Sequence, residues 1–168
     1  ILNYSTPQAI DILKKGLADF AIVTEPFDLP AGLYANALRG IQEVPVCSTA
    51  FSLTTGTSLT DEQLKQFPLI GLGENTSSFS FYSEFFSRMG MSYMPDVEAA
   101  TADQILPMIK SELGIGFVPT DFLEKEDLER LIILKMEPPI PPRSVCMLKR
   151  HGAPLSVAAA ALERMIRQ

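Results

Sequence analysis

Apolar residues recur along this chain in two rhythms. Ile10, Leu13 and Leu17 share one helical face, whereas Phe20 to Val23 form an unbroken apolar run between Gly16 and Pro26. The first spacing predicts a helix and the second a short strand buried on both faces. Thr6 is placed to cap the helix as N-cap, Pro7 loses nothing at the first helical position, and Gly16 offers a stop. Asp11 and Lys15 add an i,i+4 pair. Ile1-Leu2-Asn3-Tyr4 reads as the middle of a preceding strand, so strand, helix and strand follow one another closely. That is the βαβ rhythm of a parallel sheet.

Residues 27–43 show no clear period. Val44-Pro45-Val46-Cys47 reads as a strand, with Pro45 arguing for an edge or a crossing position. Thr60-Asp61-Glu62-Gln63 is a capping box whose helix runs to about Phe67. Leu69 to Leu72 is the next strand, and Gly73 to Ser78 a polar turn. Tyr82, Phe85, Phe86 and Met89 then stand at i, i+3, i+4 and i+7 of a helix closed by Gly90, a spacing that core packing alone explains. Thr101-Ala102-Asp103-Gln104 is a second capping box, predicting a helix to about Leu113 that is kinked at Pro107. Gly114 to Pro119, Leu131 to Leu134 and Val145 to Leu148 read as strands, and Ser156 to Arg167 as a closing Ala-rich helix.

Strands alternate with helices twice, over 1–47 and over 68–119. This predicts an α/β chain of two small lobes, one from 1–47 plus 145–168 and the other from 48–144, with crossings near Val46 to Phe51 and Ser144 to Arg150.

Composition narrows the function. The 168 residues are 46% hydrophobic and 20% charged, which predicts packed cores rather than disorder. A net charge of -6 with no Lys/Arg cluster longer than a pair argues against nucleic-acid binding by this chain itself. No apolar run is long enough to span a membrane. Cys47 and Cys146 do not make a disulfide framework, so a reducing compartment, the cytoplasm, is expected. Both lie near the predicted crossings, where they read either as small buried apolar residues or as a redox pair.

Catalytic constellations are missing. His151 is the only histidine and sits in the surface-like turn Lys149-Arg150-His151-Gly152. There is no nucleophile elbow, no phosphate-binding loop and no third glycine after Gly71-x-Gly73; one histidine and two separated cysteines make no zinc site. Neither an enzyme nor a cofactor or metal is expected.

Hydroxyls at element ends carry the candidate chemistry instead. Helix N-termini present unpaired N–H groups and partial positive charge, a seat for carboxylate or phosphate. Thr6, the run Thr76-Ser77-Ser78, and Thr101 stand at three such ends, and Thr24 ends the strand at 20–23. Each serves either as a plain cap or turn residue or as a ligand contact, and Thr76-Ser77-Ser78 has more polar atoms than one cap needs. Glu25 and Glu74 read as solvated, and a carboxylate near such a site would repel a highly charged anion.

Four motifs then occur in order. Gly16-Leu17-Ala18-Asp19 before an apolar strand resembles the G-x-x-D segment of LysR-type transcriptional regulators. Glu112-Leu113-Gly114-Ile115-Gly116-Phe117-Val118-Pro119 resembles their G-x-G-h-x-h-h-P signature, Ser58 to Gly71 is similar to their L-t-x-e-x-L-x-x-x-P-h-I stretch, and Phe85 to Gly90 to their F-x-x-x-G. The resemblance implies the effector-binding half of such a regulator. That half is a two-lobed, periplasmic-binding-protein type 2-like fold that takes a small metabolite in the inter-lobe cleft and normally forms a homodimer. Thr6 and the Thr76 run match positions where the family commonly contacts effector. The family's winged helix-turn-helix, through which DNA would be bound, has no counterpart here, and neither do the first strand and first helix of the effector domain. The alternative on the same architecture is the solute-binding protein of a transporter.

Overall fold

The computed structural model describes residues 1–167. Its elements in chain order are helix α1 (Thr6–Lys14), strands β1 (Phe20–Thr24), β2 (Leu33–Ile41) and β3 (Glu43–Ser48), helix α2 (Asp61–Leu64), strand β4 (Leu69–Leu72), and helix α3 (Ser77–Arg88). Strand β5 (Val97–Ala99), helix α4 (Ile105–Lys110), strands β6 (Ile115–Pro119), β7 (Leu131–Ile133) and β8 (Arg143–Arg150), and helix α5 (Val157–Ile166) complete it. The chain divides into two compact units: residues 1–40 with the segment from Arg143 onward, and residues 41–142.

The first unit holds a three-stranded sheet in the order β1-β8-β2. Strand β1 runs antiparallel to β8, with Phe20 opposite Lys149 and Thr24 opposite Val145. The core is Ile10 and Leu13 of α1 against Ala21, Val23, Leu33 and Leu148. This corrects the expected parallel βαβ start. Residues 1–4 form no strand: β1 is an edge strand paired only with β8, and Ile1, Leu2 and Tyr4 stay exposed. Leu17 is also exposed, since α1 stops at Lys14 and Gly16 turns the chain at φ +74°. Residues 27–43 are not irregular throughout: β2 fills 33–41, but only Leu33 and Ile41 are buried, so no apolar alternation announces it.

The second unit is built on a five-stranded sheet ordered β5-β4-β6-β3-β7. Strand β4 lies parallel to β5 and β6, while β3 is antiparallel to β6 and β7. Although β3 is an interior strand, its ladder to β7 begins at Val46, so Pro45 faces a strand only on the β6 side, opposite Phe117. The missing Pro45 N–H therefore interrupts no β7 pair, and the Pro45 carbonyl accepts the Leu134 N–H at 2.9 Å.

Helix α3 buries Tyr82, Phe85 and Phe86 as its spacing requires. Tyr82 stacks on Phe117 at 4.7 Å between centroids. The motif at 114–119 is a packing device. A Cβ at Gly114 would meet the Pro68 carbonyl oxygen at 2.2 Å, and one at Gly116 would meet Ile105 and Ile109 of α4 at 2.7 and 2.9 Å. These two glycines let β6 lie close to the chain before β4 and beneath α4.

The helix expected over 101–113 is shorter. A 3-10 turn covers 102–104 and α4 starts only at Ile105, which puts Pro107 in the first helical turn, where no intrahelical N–H bond is lost. The helix at Thr60 ends at Leu64 rather than Phe67, but its capping box is formed. The Gln63 N–H donates to Thr60 Oγ1 at 3.2 Å and the Thr60 N–H to Gln63 Oε1 at 3.0 Å.

Candidate functional site

The hydroxyl residues divide into those already used by the fold and those left open. In the second unit, Thr76 is the N-cap of α3: its Oγ1 accepts the Phe79 N–H at 3.1 Å and its hydroxyl donates to the Gly73 carbonyl at 2.8 Å. One donor and one acceptor role are thus filled by the turn itself. Ser77, the first helical residue, is half-buried, and its side chain makes no hydrogen bond among the described residues. Ser78 follows it on the helix and has a partner of its own. A 12-residue helix thus begins with an uncommitted hydroxyl beside its first amides.

Thr101 lies in the same unit but stands before a three-residue 3-10 turn, and no amide is capped by its side chain. The expected capping box is not formed there. Gln104 Oε1 accepts instead from the Ala100 N–H at 2.9 Å, one residue before Thr101. The 3-10 turn runs directly into α4 at Ile105, so the first full α-helical turn starts four residues after Thr101.

In the first unit the N-cap of α1 is Ser5, one residue earlier than expected. Gln8 Oε1 accepts both the Ser5 N–H at 3.1 Å and the Ser5 hydroxyl at 3.0 Å. Thr6 is displaced into the first turn, half-buried, with a side chain that makes no hydrogen bond among the described residues. Thr24 closes β1, also half-buried and with its hydroxyl uncommitted among the described residues. A short turn reverses the chain between α1 and β1, which pack on each other through Leu13, Ala21 and Val23. The start of the helix and the end of the strand therefore share one end of the unit.

The same end holds a feature that sequence reasoning missed. Glu25 is not solvated: Oε2 accepts the Ser144 N–H at 3.1 Å, and its own N–H donates to the Ser144 carbonyl at 3.0 Å. Arg143, only 6% exposed, donates from Nη1 to the Glu25 carbonyl at 3.1 Å. The signal in the sequence was the polar pair Thr24-Glu25 at a strand end, but its partners lie more than a hundred positions away.

The remaining chemistry is structural. Cys47 and Cys146 are free, buried, and in different units. Burial pushes the Cys47 thiol up to about 11, and burial with the nearby Glu25 charge pushes Cys146 up as well. Neither is poised as a thiolate. His151 packs on the Tyr34 ring at 5.0 Å between centroids. Among the described residues no group of three or more His, Cys, Asp or Glu side chains could hold a metal ion, and no helix is long and apolar enough to cross a membrane.

Comparison with known proteins agrees with these motifs. The family model described as LysR substrate binding domain matches residues 1–168. Among solved structures, the bromide-bound regulatory domain of HypT from Salmonella typhimurium matches with TM-score 0.74 and 21% identity, over 97% of this chain and 77% of that one. The effector-binding domain of QuiR in complex with shikimate matches at 0.73 and 13% identity, over 96% and 76%. The regulatory domain of CcmR from Synechocystis PCC6803 in complex with 2-PG matches at 0.72 and 17%, over 98% and 78%. At these identities the solved structures establish the fold, the type 2 periplasmic-binding-like fold of effector-binding domains.

Proposed function

The chain belongs to the LysR substrate binding domain family, and on that premise we propose that it binds a small anionic or polar metabolite, with Ser77 at the start of α3 as the leading contact and Thr6 and Thr24 of the first unit as separate candidate contacts. A bound effector shifts the balance among the domain's conformations, because it binds one of them better than the others. The response passes to a DNA-binding winged helix-turn-helix in the full regulator, which works as a homodimer in the cytoplasm. Bound metabolites in the QuiR and CcmR structures support this reading, and family membership favours it over a transporter's solute-binding protein. Its role is binding, without a catalytic step.

One observation carries the site. Next to Thr76, whose hydroxyl is spent on the turn, Ser77 has an uncommitted hydroxyl at the positive end of a 12-residue helix. Ser78 adds a third hydroxyl to the run; Thr101 contributes least, lying before a 3-10 turn. A thermal-shift series with inorganic phosphate, shikimate and small carboxylates tests it. An acid present at one hundred times its Kd raises stability by about 2.7 kcal/mol. Oxyanions that leave the melting temperature no higher than chloride does at equal ionic strength would remove the assignment.

A further inference from the structure

The end of unit 1 that carries Thr6 and Thr24 also carries a fixed carboxylate, and a carboxylate is an odd neighbour for an anion site. Glu25 Oε2 is held by the Ser144 N–H at 3.1 Å, and the residue's backbone is pinned on both sides, by the Ser144 carbonyl at 3.0 Å and by buried Arg143 at 3.1 Å. Oε1 has no hydrogen-bond partner among the described residues, and the residue is half-buried rather than free in solvent. A carboxylate with one oxygen fixed and the other open is a positioned acceptor. It immediately follows Thr24, whose hydroxyl is uncommitted.

We propose that Glu25 is a specificity-determining residue: its free Oε1 accepts a hydrogen bond from a hydroxyl or ammonium group of the effector, so that the ligand is a hydroxy or amino acid rather than a simple anion. This rests on the proposed effector site. An anion placed at this end without a donor faces the open Glu25 oxygen and is repelled by it, whereas a ligand donor makes a charge-assisted bond there. A site built to receive a donor rejects the analogue that lacks one, because its acceptor is then left unpaired.

Three acids of one skeleton separate the possibilities: propionate has no donor next to its carboxylate, L-lactate has a hydroxyl, and L-alanine an ammonium. Each is titrated into the protein while the amide resonances of Glu25, Ser144 and Ser77 are followed. We expect Glu25 and Ser144 to saturate with L-lactate or L-alanine at concentrations at least about tenfold below propionate. Glu25→Gln, whose amide oxygen still serves the Ser144 N–H, keeps a preference for the hydroxyl and loses that for the ammonium; Glu25→Ala loses both. An unchanged melting temperature for Glu25→Gln shows that the strand end is intact. Equal affinities for propionate and its two analogues would overturn the proposal, and so would silent Glu25 and Ser144 amides. If Ser77 alone responds, and to all three acids alike, the anion site stands and the Glu25 assignment falls. If Glu25 responds selectively while Ser77 is silent, the assignment of Ser77 falls instead.

Discussion

Asp19 accepts two hydrogen bonds from Ser156, one from the backbone N–H at 3.0 Å and one from the hydroxyl at 3.1 Å, across 137 positions of sequence. Ser156 is in turn the N-cap of α5, accepting the Ala159 N–H at 3.3 Å. The aspartate that opens β1 thus orients the residue that opens the last helix. The family's G-x-x-D segment has a mechanical reason here: Gly16 ends α1 in a left-handed turn and Asp19 fixes α5. Arg150 completes the joint by donating to the carbonyls of Leu13 and Ala18, both at 2.7 Å.

Asp19→Ala should destabilise unit 1 by about 1–3 kcal/mol, because the Ser156 cap loses its orienting acceptor. Asp19→Asn retains an acceptor for the backbone N–H and should lose less. Denaturant midpoints at constant m-value measure both. A neutral Asp19→Ala would show that α5 seats without this contact.

The two glycines of the 114–119 strand should respond differently. At Gly114 an added methyl meets a backbone carbonyl, which cannot step aside, whereas at Gly116 it meets the ends of Ile105 and Ile109. Gly116→Ala should cost about 1–3 kcal/mol as overpacking, and Gly114→Ala more. Reversed costs in denaturant titrations would mean that α4 is held more rigidly than the chain at Pro68.

How much of this was legible without coordinates depends on where each element finds its partner. Strand β4 and helix α3 carry their whole signal locally, an apolar run or an i, i+3, i+4 aromatic stripe, and both form as read. Pairing is different. The residues at 20–23 announce a strand, but nothing in them says that the neighbour is β8 rather than Ile1 to Tyr4, because ladder bonds are made by backbone common to all residues. β2 escaped because a largely exposed strand needs no apolar alternation, and α4 was overextended because a capping-box pattern fits a 3-10 turn as well as a helix start. At the candidate site the hydroxyls could be found from their place at element ends. Their state of commitment could not, since Thr76 and Ser77 differ only in which amide and carbonyl lie within reach.

Acid should loosen unit 1 through Glu163. Its carboxylate accepts from Lys149 at 2.7 Å and Arg167 at 2.9 Å, and the Lys149 bond first, then that of Arg167, holds it below the ordinary carboxylate range. A depressed native pKa contributes stability that is complete above the unfolded value and is lost as pH falls through the native one. Glu163→Gln should therefore flatten the stability profile below about pH 4.3, where a free glutamate begins to protonate, and leave its slope near neutrality unchanged. An identical acid limb in the variant would show the pair to be energetically silent.

Both thiols should be inert at neutral pH. Cys47, fully buried with its thiol pushed up to about 11, offers almost no thiolate, and Cys146 is raised in the same direction. Mild peroxide should leave two titratable thiols in the unfolded protein. Loss of either one would revive a redox role.

Thr76 and Ser77 are neighbours with separable roles, and substituting each tests whether α3 merely starts there or also binds. Thr76→Ala removes the bonds to Phe79 and Gly73, so it should cost about 1 kcal/mol of stability, as loss of an N-cap does, whether or not an oxyanion is present. Ser77 contributes no side-chain hydrogen bond among the described residues, so Ser77→Ala should leave the unliganded melting temperature nearly unchanged. It should nonetheless weaken the thermal shift with any acid that stabilises the wild type, by about the 1.5–3 kcal/mol of a hydrogen bond to a charged group. The two effects are opposite in kind, one on the free protein and one only on the complex. A Ser77→Ala protein that responds to those acids as the wild type does would reduce the helix start to capping alone, and the effector contacts would then have to lie with Thr6 and Thr24.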